Sequence, residues 1–292
     1  MSGTPHRDWD SDGADWPNRE ASMFLHAGGI EWHVQRMGAG PVALLLHGSG
    51  AATNSWAELL PLLAQDFDVV APDLPGHGFS RAPSRRMLSL PAMADEVTAL
   101  TETLEIAPDL VIGHSAGAAI ALRTVLSGAL TPRMVIGLNA ALTPFRGLAG
   151  IMFPPMAKLL AMNPFTPWMF SQVAGSEQTA KRLIEGTGSR IDPAGLALYA
   201  RLLARPDHVG GALSMMAQWD LEPLLRALPH IRVPLHLVVG LQDKAVPPGE
   251  AAALAQANPM ITLHEFVDAG HLLHEEYAEE THALIKRLVT PS

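Results

Sequence analysis

The chain has 292 residues, 48% of them hydrophobic, a net charge of −9 (20 Lys and Arg against 29 Asp and Glu), and no cysteine. The apolar content suffices for a large core, the acidic balance and lack of a long basic run argue against a nucleic-acid partner, and disulfides and thiolate chemistry are excluded. A polar N-terminus without a signal-peptide core, and no uninterrupted apolar run of about 18 residues, predict a cytoplasmic protein with no transmembrane segment.

Residues 1–20 read as an N-terminal arm, mobile or loosely docked, although Trp9 and Trp16 are unusual in such a tail. Segments 23–27 and 30–37 read as strands about a Gly28-Gly29 hairpin turn. Segment 41–46 is continuously apolar, the pattern of a strand buried on both faces, and it ends in His47-Gly48-Ser49-Gly50. A helix over 55–64 and a strand over 67–71 follow, then the glycine-rich loop Pro72-Asp73-Leu74-Pro75-Gly76-His77-Gly78-Phe79-Ser80. A helix over 90–104 leads to an apolar strand starting at Leu110. Gly113-His114-Ser115-Ala116-Gly117 follows it, and then an Ala-rich helix. Segment 134–138 is the next strand.

Strands alternating with helices predict the α/β class, with a mostly parallel central sheet flanked by helices. Over 141–229 only helical stretches broken by Pro144, Pro154, Pro155, Pro164 and Pro167 are evident. Alternation resumes with a strand over 234–239, a helix over 248–257, a strand over 261–266 and a helix over 275–288. The expected organisation is a core in two parts, 21–140 and 230–292, with a helical cap, 141–229, inserted before the penultimate strand.

The chemistry centres on Ser115. In G-x-S-x-G the serine sits on a sharp strand-to-helix turn that needs small neighbours two residues away, here Gly113 and Gly117. The bland alternative is a glycine-containing turn that only connects two elements. A serine hydroxyl needs a base, and the base an orienting acid. His271 follows the last strand, where an α/β sheet presents functional residues. Asp243 follows the strand before it. Asp268 is a weaker acid candidate, and Asn139-Ala140, at the other position after a strand where an acid is expected, cannot serve.

The backbone amides of Ser49 and Ala116 are the candidate oxyanion donors. His47, His114, Asp73 and His77 read as structural. A metal site at His271, His274 and Glu275 is conceivable, but His-x-x-His-Glu is not a zinc-protease motif and no further ligand is suggested, so no metal is expected. Without a G-x-x-x-x-G-K-[ST] or G-x-G-x-x-G loop, no nucleotide cofactor is implied. The cap is rich in Met and aromatic residues, and Met152, Met156, Phe165, Trp168, Met169, Met215 and Trp219 are the candidate lining of an apolar substrate pocket. Cap core is the competing role for each of them.

The elbow, the His47-Gly48 loop, the 73–80 loop, Asp243 and His271 together resemble the α/β-hydrolase superfamily over nearly the whole chain, and Ser115, Asp243, His271 is the chain order expected there. Asp15-Trp16-Pro17-Asn18-Arg19, Gly28-Gly29-Ile30-Glu31-Trp32-His33-Val34-Gln35, the elbow, and Met215-Met216-Ala217-Gln218-Trp219-Asp220-Leu221 look more narrowly like the magnesium-chelatase accessory hydrolases of bacteriochlorophyll biosynthesis. The resemblance implies a role near magnesium insertion into protoporphyrin, contact with magnesium chelatase, and a porphyrin as one candidate ligand. It supplies no reaction. The alternatives are a non-catalytic porphyrin-binding or chelatase-contacting accessory, and a general carboxylesterase or carbon–carbon bond hydrolase.

Overall fold

The structure, a computed structural model, describes residues 7–143, 163 and 165–290. Its strands are β1 (Ser22–Ala27), β2 (Ile30–Gly38), β3 (Val42–Leu46), β4 (Asp68–Pro72), β5 (Leu110–His114), β6 (Met134–Leu138), β7 (Leu235–Gly240) and β8 (Ile261–Phe266). They form one sheet in the order β1-β2-β4-β3-β5-β6-β7-β8. β2 pairs antiparallel with β1 and β4, and every other pairing is parallel.

Helices before the sheet's midpoint are α1 (Arg7–Asp12), α2 (Leu59–Leu63), α3 (Leu90–Thr103) and α4 (Ala116–Leu126). Between β6 and β7 lie α5 (Thr166–Ala174), α6 (Glu177–Gly186), α7 (Pro193–Leu203), α8 (Pro206–Ala217) and α9 (Glu222–Ala227). Among the described residues no strand interrupts them. The chain closes with α10 (Pro248–Ala257), α11 (Leu273–Glu276) and α12 (Ala278–Val289).

Side-chain parity explains the apolar runs. Leu44, Leu46, Val111 and Val135 enter one core with Leu90, Val97 and Ile120 from α3 and α4. Ala43, Leu45, Ile112 and Ile136 enter the other with Leu59, Leu63 and Ile285 from α2 and α12. Both faces are covered, so the central strands carry no polar alternation. Burial of each such aliphatic side chain contributes roughly 1.5–3 kcal/mol relative to its exposure.

Two expectations need revision. The helix expected over 55–64 divides into a 3-10 turn, Thr53–Trp56, and α2, because the Thr53 amide is tied to Asp73 Oδ1 at 2.6 Å. The last helix breaks at Tyr277 (φ −136, ψ 56), whose ring lies against Phe266 at 6.2 Å. The described part of the arm, residues 7–20, is docked on the body, as Trp9 and Trp16 hinted. Trp9 and Trp16 pack edge-on to Phe79 at 4.7 and 5.0 Å in a small core with Leu198 and Leu202 of α7. Trp16 Nε1 donates to Thr53 Oγ1 at 2.9 Å, and Arg201 of α7 clasps both oxygens of Asp15 at 2.6 and 2.9 Å.

Candidate active site

β5 ends at His114 and α4 begins at Ala116, which leaves Ser115 alone at the turn with φ 50 and ψ −115. L-residues avoid this region, and such strain persists only where the surroundings hold it. Here β6 holds it: the Ser115 amide donates to Leu138 O at 3.0 Å, and the Ala141 amide to Ser115 O at 3.1 Å. The turn is too tight for side chains on either side. A Cβ at Gly117 would drive into the Leu46 carbonyl, and one at Gly113 into the backbone of Ala118. The serine therefore caps the N-terminus of an eleven-residue helix, whose first amides and dipole face any negative charge forming there.

His271 and Asp243 are brought together. His271 Nδ1 lies 2.8 Å from Asp243 Oδ2, and the Asp243 side chain is wholly shielded from water. The other carboxylate oxygen accepts from the amides of Ala245 and Val246 at 2.7 and 2.8 Å. An ionised carboxylate can only accept, so Nδ1 carries the hydrogen and Nε2 is the basic nitrogen. No hydrogen bond joins Ser115 Oγ to His271 among the described residues. Their link runs through His114, the residue before Ser115, whose ring lies 4.8 Å from that of His271.

The loop after β3 crosses the elbow closely: a Cβ on Gly48 would come within 3.1 Å of Ser115 Cβ. Ser49 is exposed and Ala116 is buried. His47 fixes the loop from below, accepting from the Leu74 amide at 2.8 Å and donating from Nδ1 to Gly48 O at 2.8 Å. Burial pushes its pKa down, which keeps it neutral in that tautomer. Asp73 accepts from His33 and from the amides of Thr53 and Phe79. Both residues thus play the architectural parts that their positions in tight loops suggested.

Several residues at the site escaped sequence reasoning. Asn139 Nδ2 donates to Gly270 O at 2.8 Å and His271 O at 2.7 Å, while its Oδ1 accepts from the Gly240 amide at 2.8 Å. His114 Nε2 donates to the same His271 carbonyl at 2.9 Å. His208 of α8 donates to Gly50 O at 3.2 Å and accepts from the Gly78 amide at 3.0 Å, and burial lowers its pKa to about 4.

The segment before α7 clasps the Asp243 and His271 loops together. The Lys244 amide donates to Thr187 O at 2.9 Å, and the Leu272 amide to Ser189 Oγ at 2.7 Å. Tyr199 of α7 donates to Glu275 Oε1 at 2.6 Å. Two of these had a signal in the sequence: Asn139, an uncharged polar residue just after an apolar strand, and His114, which reads as structural.

Of the candidate pocket residues, Met152 and Met156 lie outside the described residues. Phe165 precedes α5, Trp168 and Met169 lie on it, and all three are exposed, at 68%, 57% and 58%. Met215, by contrast, is 1% exposed and packs into the larger core with Leu221 and Leu224, while Trp219 is half-buried at the edge of that core. His274 is fully buried with its ring on Trp56 at 4.6 Å, and among the described residues no group of three or more His, Asp or Glu is arranged to hold a metal ion.

The family model described as the alpha/beta hydrolase family matches residues 43–284. The chain belongs to the α/β-hydrolase family. Among curated relatives of this α/β-hydrolase, the magnesium-chelatase 30 kDa subunit of Rhodobacter capsulatus is 45% identical over 93% of this chain and 95% of that one. A 2-hydroxymuconate semialdehyde hydrolase of Pseudomonas sp. (strain CF600) is 26% identical over 91% of this chain and 93% of its own. A solved putative lipase of Acinetobacter baumannii shares the fold with a TM-score of 0.79 at 18% identity, covering 99% of this chain and 98% of the other. Among the described residues no helix is long and apolar enough to cross a membrane.

Proposed function

We propose that this α/β-hydrolase is a serine hydrolase of an ester or related acyl bond in an apolar substrate, acting as an accessory protein of magnesium chelatase in bacteriochlorophyll biosynthesis. The observation that carries the hydrolytic part is the buried His271–Asp243 pair at 2.8 Å, next to a serine held at φ 50 on a helix N-terminus. In this reading Ser115 Oγ attacks the acyl carbon as His271 Nε2 takes its proton. The amides of Ser49 and Ala116 receive the oxyanion, each such donor being worth about 2.7–4 kcal/mol. Asp243 fixes the tautomer. His271 returns the proton to the departing alkoxide, then takes one from water, which cleaves the acyl-serine to the free acid and restores Ser115.

The chelatase association is supported by the 45% identity to the Rhodobacter capsulatus subunit across almost the full length of both chains. Labelling with a fluorophosphonate probe tests the chemistry: we expect the native protein to label, and Ser115→Ala and His271→Ala each to lose at least ~10³-fold of the rate. A folded native protein that does not label refutes it.

A second reading is favoured by the exposure of Phe165, Trp168 and Met169: a non-catalytic accessory that offers this face to a porphyrin or to the chelatase. It requires protoporphyrin to quench Trp fluorescence, with Trp168→Phe removing most of the quenching. Absence of quenching excludes porphyrin binding at that face.

A further inference from the structure

Resting on the reading of His271 as base, we infer that Asn139 is its positioning residue, holding the backbone of His271 in register with both Ser115 and Asp243. Asn139 is the first residue beyond β6, 1% exposed, with φ 42, a left-handed conformation that Asn tolerates better than most residues. All of its side-chain amide groups are engaged, and each bond leads to the site.

Oδ1 takes the Gly240 amide, and the Gly240 carbonyl in turn takes the Asp243 amide at 3.1 Å. Asn139 is thus linked through a single residue, Gly240, to the backbone of Asp243. The two hydrogens on Nδ2 go to Gly270 O and His271 O, the base's own carbonyl. That carbonyl receives a second donor, His114 Nε2, from the residue before the serine. The root of the base is therefore held by the residues at the ends of two neighbouring strands, His114 closing β5 just before Ser115 and Asn139 just beyond β6.

The chemistry of the amide explains its identity. Two carbonyls need two hydrogens, and one amide N–H needs an acceptor, which only a carboxamide supplies at once. A carboxylate here would turn an oxygen lone pair toward two carbonyl oxygens. The position where an acid was sought is thus filled by a group that holds the base by its backbone while Asp243 holds it by the ring. Positional errors of about 1 Å at a reacting group can cost about 10²-fold in rate.

The test compares full-length Asn139→Gly, which removes the side chain without strain at this φ, with Asn139→Asp, which keeps volume and the Gly240 bond but loses both donors. Fluorophosphonate time courses give an amplitude, the fraction of assembled sites, and a rate constant for those sites. We expect amplitudes near native, rate constants at least tenfold lower, and an altered pH dependence of the rate. A residue that only stabilised the fold would lower the amplitude and the melting temperature and leave the rate constant and pH profile of the surviving sites unchanged. That result overturns the inference.

If Asn139→Gly does not fold, Asn139→Asp decides. If native protein does not label at all, the hydrolase reading is what fails. The far-downfield proton of the His271 Nδ1–H···Asp243 bond, assigned by its loss in His271→Ala, then reads the positioning alone. It should move or broaden in both variants, and an unchanged proton overturns the inference.

Discussion

Ser115 adopts a backbone conformation that its own side chain disfavours, and the burden of accommodating it falls on its neighbours. Gly117→Ala or Gly113→Ala would push a methyl group into backbone that cannot retreat, since Leu46 and Ala118 belong to β3 and α4. Each should destabilise by about 1–3 kcal/mol in urea unfolding and abolish fluorophosphonate labelling, whereas Gly249→Ala, with open space around the added Cβ and no left-handed backbone, should leave labelling intact. At this scale the sequence was readable wherever chemistry dictates residue type. Ser115, Asp243 and His271 stand out because few residues can act at strand ends, and the structure joins the last two. Asn139 was not readable as a clasp. Its partners are carbonyls 131 and 132 residues away, and backbone groups leave no mark in a sequence.

α7 joins the helical insertion to the N-terminal arm on one side and to α11, beyond β8, on the other. The arm binds α7 by packing far more than by charge. Asp15 is exposed, and although its bond to Arg201 lowers its pKa, Asp15→Asn should cost less than about 1 kcal/mol. Trp16→Ala, which empties a buried indole site beside Phe79, should cost about 3–5 kcal/mol. The ratio of the two, measured by chemical denaturation, tests whether the arm is part of the fold.

On the other side Tyr199 meets Glu275, whose carboxyl burial pushes up to about 8 from an ordinary 4.5. Between those values the folded protein keeps a proton that the unfolded chain has released. The stabilisation is therefore full below pH 4.5 and is lost as pH rises toward 8. Glu275→Gln has no proton to lose and should gain about 3–4 kcal/mol over wild type on going from pH 5 to pH 8. A variant that tracks the wild type across that range disproves the effect. The composition of α5 to α9 announced helices and little about these contacts. Tryptophans in a polar tail hinted at docking, but their partner lies almost two hundred residues downstream, as the 186-residue separation of Asp15 and Arg201 records.

Taken as a whole, the molecule buries an unusual set of neutral imidazoles around its sheet ends. Burial lowers the pKa of His47, His77 and His114, takes His208 to about 4 and takes His274 to about 3. Unfolded histidines accept protons near 6.5, so the native state's refusal to do so stabilises it fully above that pH, and the stabilisation drains away as pH falls toward 3. The urea midpoint should therefore drop steeply between pH 7 and pH 5, and replacing His274 by Phe should flatten that slope. A midpoint that holds constant over the range contradicts it.

The sheet itself was legible almost strand for strand, because burial on both faces writes uninterrupted apolar runs. Strand order was not, since β4 crossing outside β3 is a matter of packing handedness rather than residue type.

Gly188 has consequences beyond geometry. It sits so close to Gln242 and Gly270 that no side chain fits between them, and the loops carrying Asp243 and His271 close onto it from sequence that follows by more than fifty residues. In a chain emerging from the ribosome, that wedge is made before the strands that must seat against it. In a complete chain refolding from denaturant, the same separation makes assembly of the His271–Asp243 pair wait on long loop closure, so refolded protein should regain its helical signal before it regains reactivity toward a serine-directed probe.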